Sequence, residues 1–271
     1  MLAISLLHWS YKFFLQSLIS LEESIVKPVS IILVKDGKLT KELDSVISEW
    51  QTKLPIKVVS YEKNQGLAHA LNYGLQFVEI PLVARMDSDD ICFPERFEKQ
   101  LKYFEEHPDA EIVGTGLSEF YVDKNGSEFR KNRFYPEYVD CKTKYLFKGV
   151  PLGHPTVMIK TDLLKKYMYS ENTNMNEDID LWFRLLKDGY VIHNIQEPLL
   201  NFRITDGTFK RRSIKKAFFE FKIYWNNLIK LFGLSPLLIY PLARLFTHFL
   251  PYSINKKLYF SGARNKLFKG K

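Results

Sequence analysis

Four short apolar runs, Leu2 to Leu7, Val29 to Val34, Ile56 to Ser60 and Leu82 to Met86, divide the first third of this chain. Between them lie helical patterns. Tyr11 to Glu23 sets Phe14, Leu15, Leu18 and Leu21 on one stripe, Thr40 introduces Leu43, Val46, Ile47 and Trp50, and Leu67 to Val78 follows. Apolar runs too short to be helices, each followed by an amphipathic helix, bury both faces of a sheet only if the strands are parallel and the helices cover it. The alternation therefore predicts an α/β fold, a doubly wound and mostly parallel sheet with right-handed crossovers. With 46% hydrophobic residues in 271, the chain can bury one sizeable core.

Ligands of such sheets sit beyond the carboxyl ends of the strands, so the residues there carry the chemistry. The fourth run ends abruptly in Asp87, Asp89 and Asp90, before a helical pattern with Phe97, Leu101 and Phe104 that Pro94 introduces. Two aspartates one residue apart offer hard oxygens to Mg2+ or Mn2+, ions that usually stay partly coordinated by substrate phosphates. The plainer reading is a solvated turn whose aspartates cap the next helix. A calcium loop is excluded, because its fifth and sixth positions would be Ile91 and Cys92, where an oxygen ligand and a turning glycine are needed. Asp36, just past the second run, can accept hydrogen bonds from a nucleobase or ribose hydroxyl, or belong to an ordinary Asp-Gly turn. Asn64-Gln-Gly66 lets backbone approach a nucleotide at a helix start, or is a plain loop.

After residue 110 the alternation ends. Glu111 to Gly114 reads as a buried strand, and Leu117 to Val122 with Ser127 to Phe134 reads as a hairpin. Paired strands after a parallel half predict a smaller, more antiparallel second half that shapes the cleft of a second substrate. Within it His154 is a candidate ligand or acid–base group, or a structural histidine. Farther on, Ile179, Trp182, Leu185 and Leu186 form one helical stripe, which puts Glu177 and Asp178 at the helix N-terminus. Acids there are stabilised by the macrodipole alone if nothing faces them.

Taken in order, Ile31 to Gly37, Asn64 to Gly66, Ala84 to Ile91 with Pro94 and Arg96, Gly153 to Val157, and Glu177-Asp178 with Leu181, Trp182 and Arg184 resemble the successive motifs of family 2 inverting glycosyltransferases of the GT-A fold, the Rossmann-like fold of nucleotide-diphospho-sugar transferases. The likeness is greatest to bacterial polysaccharide, lipopolysaccharide and capsule enzymes, and runs over about residues 25 to 205. It implies that Asp36 reads the uracil or ribose, with Asn64, Gly66, Arg85 and Asp87 also on the donor nucleotide. Asp87 and Asp89 would form the D-x-D site for Mn2+ or Mg2+, and Asp178 would be the catalytic base. Glu177, His154 and Trp182 would touch the donor sugar or the acceptor. The donor implied is a UDP-sugar, and the acceptor a hydroxyl of a growing, lipid-linked cell-surface glycan.

One departure stands out. Members of the family begin with a strand and short loop of the type V-S-V-I-I-P-x-Y-N, whereas this chain has Ile4-Ser-Leu-Leu-His-Trp-Ser10. Half of the nucleoside pocket is then differently built, with Trp9 or Tyr11 available to stack on uracil or to pack in the core. The alternative function is a binding protein of the same fold that has lost productive donor binding. A nucleotidyltransferase would carry a glycine-rich loop after its first strand, and Leu7 to Tyr11 has no glycine.

The net charge of +8 divides unevenly: residues 1–206 hold 25 basic against 30 acidic residues, and residues 207–271 hold 14 against the single Glu220. The expected organisation is a catalytic domain over 1–206 and a basic, helical, amphipathic tail over 207–271. In the tail, Leu234 to Pro251 is apolar but broken by Pro236, Pro241, Arg244, His248 and Pro251, a poor spanning helix. Such a segment suits the interface of an anionic membrane, or else packs on the body with a solvated basic face. An acidic body without a recognition motif argues against nucleic acid. Two cysteines build no disulfide framework, and no signal-peptide pattern opens the chain, so the expected location is cytoplasmic, peripheral on the inner face of a bacterial plasma membrane.

Overall fold

In the computed structural model the described residues are 2–6, 10–122, 126–142, 149–173, 175–205 and 214–249. The first half alternates as its periodicity requires: β1 (Leu2–Leu6), α1 (Tyr11–Glu22), β2 (Ile31–Asp36), α2 (Lys41–Trp50), β3 (Ile56–Tyr61), α3 (Leu67–Leu75) and β4 (Leu82–Asp87). A two-residue β5 (Ile91–Cys92) and α4 (Arg96–Glu106) follow. The second half comprises β6 (Ile112–Val122), β7 (Glu128–Arg133), β8 (Tyr138–Val139), a 3-10 turn (His154–Thr156), β9 (Met158–Lys160), α5 (Thr161–Tyr167), α6 (Glu177–Lys187) and β10 (Ile192–Arg203). Two more helices, α7 (Ile214–Phe232) and α8 (Ile239–His248), close the described chain.

One sheet runs through the molecule in the order β3-β2-β1-β4-β9-β6-β10-β5. The β3-β2-β1-β4 portion is wholly parallel. Strand β9 then lies antiparallel to both β4 and β6, and β10 pairs parallel to β6, so the direction changes at β4, beside the acid-bearing turn. Helices α3, α5, α6 and α7 bury their apolar faces in one cluster and α1, α2 and α4 in another, the two-sided cover that a parallel sheet needs. Strand β6 is buried from Ile112 to Tyr121, as befits its place between β9 and β10.

Local chemistry sets the element ends. Thr40 caps α2, its Oγ1 accepting from Leu43 N at 3.4 Å, and Glu42 and Asp44 stand in the positive first turn. Gly66 precedes α3 with φ of +92°, a conformation open to glycine at little cost. Gly37 shares that φ, and a Cβ there would meet the Asn64 backbone nitrogen at 3.0 Å, so the loops after β2 and β3 touch only because a side chain is missing. Strand β2 starts at Ile31, two residues later than the sequence reading has it, and leaves Val29 exposed. Gly153 precedes a 3-10 turn that leads into the short β9.

The segment expected as a tail contributes to the body. Ala217, Tyr224 and Leu228 of α7 are buried, and the Tyr224 ring meets Phe183 of α6 edge-on at 5.2 Å. Leu228→Ala is therefore expected to lower the unfolding free energy by about 2–5 kcal/mol, against under ~0.5 kcal/mol for Leu234→Ala on the surface. Denaturant midpoints compared at equal slope check this.

Candidate active site

The turn after β4 is built from below by arginines. Arg85, buried on β4, pairs with Asp87 at 2.5 Å, and Arg96 Nη2 donates to the Arg85 carbonyl at 2.8 Å. Gln100 accepts from Arg96 Nε at 3.0 Å and spends its own amide on the carbonyls of Val113 and Thr156, tying β4 to β6 and the 3-10 turn. Helix α4 begins at Arg96 without a side-chain cap, so Asp87, Asp89 and Asp90 are not its capping acids. Their partner is Arg203 at the end of β10, which donates from its backbone N to Asp90 Oδ1 at 2.9 Å and from Nε to the Asp89 carbonyl at 2.8 Å. Nη2 of Arg203 donates to Gln16 at 2.6 Å, and its guanidinium lies over Phe13 and Phe120.

The three carboxylates differ in surroundings. Asp87 keeps about 30% of its side-chain surface, whereas Asp89 and Asp90 are buried. Burial first, and Asp87 and Asp89 next, push the Asp90 carboxyl well above the usual range, and its Oδ2 has no partner among the described residues. No group of three or more metal-binding side chains occurs among the described residues. The donor set nonetheless fits a hard divalent ion: two carboxylates on one turn and a third with an orphaned oxygen, a partial shell of the kind that substrate oxygens complete.

A second acidic pair stands at the start of α6. Glu177 is buried and Asp178 is part-exposed, and Asn176 before them donates Nδ2 to the Thr173 carbonyl at 3.1 Å and to the Lys216 carbonyl of α7 at 3.4 Å. Burial, then the neighbouring Asp178, pushes Glu177 up to about 7. Asp178 is also raised, burial outweighing the Ile179 backbone N–H and the cations of Lys216 and Arg85. The competition that the helix start alone leaves open is thus decided by desolvation. Arg85 itself is held above the ordinary arginine value, since Asp87, Tyr169, Asp90 and Asp178 together outweigh the burial that opposes its charge. One guanidinium thus interacts electrostatically with two acidic sites some 90 positions apart in the chain.

Asp36 is buried, its Oδ1 accepting from Gln65 N at 2.7 Å and its Oδ2 from Gly66 N at 3.0 Å, while Asn64 Nδ2 donates to its carbonyl at 3.3 Å. Asp36, Asn64 and Gly66 are therefore one knot, and each carboxylate oxygen retains an acceptor site. His154 and Trp182 are both buried, His154 bonded to the Tyr169 hydroxyl at 3.0 Å and edge-on to Trp182 at 5.9 Å. Burial, then Arg85, holds His154 well below the usual histidine value, hence neutral. As placed, both side chains pack within the body. Trp9 lies outside the described residues, and Tyr11 is exposed at the start of α1. Arg203, Gln100 and Lys216 escaped the sequence reading. Only a cation at the end of a strand pattern, Arg203, left a signal there.

Residues 10–167 match the family model described as Glycosyl transferase family 2. The chain belongs to this family. Relatives of this glycosyltransferase over nearly its whole length include the amylovoran biosynthesis glycosyltransferase AmsE of Erwinia amylovora, 35% identical over 90% of this chain and 91% of AmsE. A UDP-Gal:alpha-D-GlcNAc-diphosphoundecaprenol beta-1,3-galactosyltransferase of Escherichia coli is 34% identical over 91% of this chain and 90% of that one. In fold, the glycosyltransferase superposes on S. aureus TarS 1-349 in complex with UDP-GlcNAc with a TM-score of 0.63, at 17% identity, covering 98% of this chain and 88% of TarS. A Pyrobaculum calidifontis mannosyltransferase with GDP-Man and Mn2+ gives 0.60 at 16% identity, over 99% and 80%. The fold is GT-A.

Because Glu177 rises from 4.5 to about 7 on folding, its neutral form is favoured in the native state. That contribution is complete below the unfolded value and is lost as pH climbs through the folded one. Glu177→Gln is expected to melt several degrees above the parent at pH 8, with the gap closing near pH 4.5. A thermal melt series across this window measures it.

Proposed function

We propose that this glycosyltransferase moves a sugar from a UDP-sugar to a hydroxyl of a growing, lipid-linked cell-surface polysaccharide, in a single inverting displacement aided by a divalent cation. The observation that carries the reading is the buried Arg85, which pairs with Asp87 at 2.5 Å and interacts electrostatically with Glu177 and Asp178. Inversion needs a leaving group stabilised on one side of the anomeric carbon and a base for the acceptor hydroxyl on the other, and these two acidic sites are of the required kinds. The E. coli relative is named for a UDP-Gal donor and a diphosphoundecaprenol-linked acceptor, and AmsE for amylovoran biosynthesis, which supports the donor and acceptor classes. The reading of an impaired binding protein is not favoured, since these full-length relatives are named as enzymes.

The roles follow from the surroundings of each group. Asp178 accepts the acceptor's proton. Its raised pKa brings it nearer the working pH, and the adjacent Lys216 and Arg85 keep it ionised. Glu177, closer to neutral, holds the pair to about one negative charge near neutral pH. Asp87 and Asp89 would hold Mn2+ or Mg2+, which supplies charge for the departing diphosphate. Arg85 and Arg203 hold that turn in shape before any ligand arrives. Asp36, Asn64 and Gly66, with the N-terminus of α3, form the nucleoside end of the site. No helix among the described residues is long and apolar enough to cross a membrane. The basic segment 207–271 would instead hold the enzyme peripherally on an anionic surface, the inner face of a bacterial plasma membrane.

Asp178→Asn is expected to retain UDP binding in Mn2+ while transfer falls by a factor on the order of 100 to 10,000, the usual worth of a positioned base. Product analysis should give a β linkage from a UDP-α-sugar; an α product, or near-parental turnover by this variant, overturns the assignment. UDP affinity is expected to drop sharply in EDTA and in Asp89→Asn, as calorimetry reads, whereas affinity indifferent to chelation removes the cation from the reading.

A further inference from the structure

The outer side of α8 is apolar without interruption. Ile239, Leu242, Phe246 and, one residue past the helix, Phe249 recur at intervals of three and four, and Ile239 and Phe246 keep 66% and 68% of their surface in solvent. Among the described side chains of this helix the other exposed residues are Ala243 and Thr247, neither of them charged. The inner side is the opposite in character and is firmly held. Arg244 pairs with the buried Glu220 of α7 and donates Nη1 to the Tyr240 hydroxyl at 3.1 Å, and Tyr240 meets Tyr224 at 5.4 Å. Tyr224 in turn packs on Phe183 of α6. The stripe thus belongs to a helix fixed to the body and turned outward.

Charge decides what covers it. Residues 250–271 contribute Lys256, Lys257, Arg264, Lys266, Lys269 and Lys271 and not one acid. On α7, the exposed Phe218 is flanked by the exposed Lys215 and Lys222 at helical spacing. Large apolar side chains on one face of a helix, adjoining cations without anions, match a surface that is apolar in depth and anionic at its rim. A symmetric second copy would set these cations against each other.

We propose that the Ile239, Leu242, Phe246 and Phe249 face of α8 docks the enzyme in the interface of an anionic bilayer. This rests on the peripheral membrane placement put forward above and names the surface that makes it. The ion pair between Arg244 and Glu220 joins that surface to α7, whose first turn abuts the Glu177/Asp178 end of α6, so the docked face and the acidic site belong to one packed unit.

Full-length protein is floated with phosphatidylcholine vesicles and with vesicles containing phosphatidylglycerol. Binding is expected to favour the anionic vesicles, and Ile239→Ser with Phe246→Ser is expected to weaken it roughly tenfold or more, with melting temperature and UDP affinity unchanged. Phe246→Leu should restore most of the binding. Parental binding by the double variant, while high salt still releases the protein, overturns the α8 face and leaves the membrane placement through other cations. Failure of the parent to bind either vesicle overturns both. A dimer in sedimentation that the double variant abolishes, without effect on vesicles, assigns the face to a second copy and overturns the proposal.

Discussion

Arg85 is a full positive charge taken out of water, and most of the architecture around it exists to make that tolerable. An arginine cannot shed its charge, so burial has to be offset by anions and hydrogen bonds rather than by titration. Asp87 supplies a direct contact, and Asp178 adds to the negative field around it. The same guanidinium lowers the cost of gathering acids in one place, since it acts against the raised pKa values of Glu177 and Asp178. The acidic turn and the acidic helix start thus draw on one cation.

The buried polar residues form a second layer of this arrangement. Arg96 and Gln100 saturate carbonyls at the ends of β4 and β6 and at the 3-10 turn, where strands change direction and ladder hydrogen bonds run out. Asn72 does the same for the backbone of Tyr169, donating Nδ2 to its carbonyl and accepting from its N–H, both at 2.8 Å. Through Tyr169 that bond reaches His154 and the wall beneath the acids. A neutral, buried histidine suits this place, because a second cation beside Arg85 would undo the balance.

Much of this was legible in residue patterns, and the reason is local. Strands β1 to β4 and helices α1 to α4 follow from period and spacing, and the acids of Asp87 to Asp90 and of Glu177 and Asp178 sit at strand and helix ends that the same periods mark. What escaped depends on pairing between distant segments. Nothing near Arg203 says that it will close on Asp89 and Asp90, and nothing near Lys216 says that it will stand by Asp178, because both partners are set by sheet order and helix docking. The stripe that marks Trp182 in the sequence also buries it. Charge counting groups α7 with a basic segment that either meets a membrane or packs on the body, and Ala217, Tyr224 and Leu228 are buried.

The clamp on the acidic turn has a consequence for how the chain is born. Asp90 and Arg203 are 113 positions apart, and a ribosome delivers the acids long before their partner. Until β10 emerges and slots beside β6, the turn holds a buried-type carboxyl cluster without the backbone donor and guanidinium that order it. The parallel half can form early from its own neighbours, but a finished acidic turn is an attribute of the nearly complete body. A nascent or prematurely terminated chain would thus carry the parallel sheet without an ordered acidic turn, which separates forming the sheet from finishing the turn that ends it.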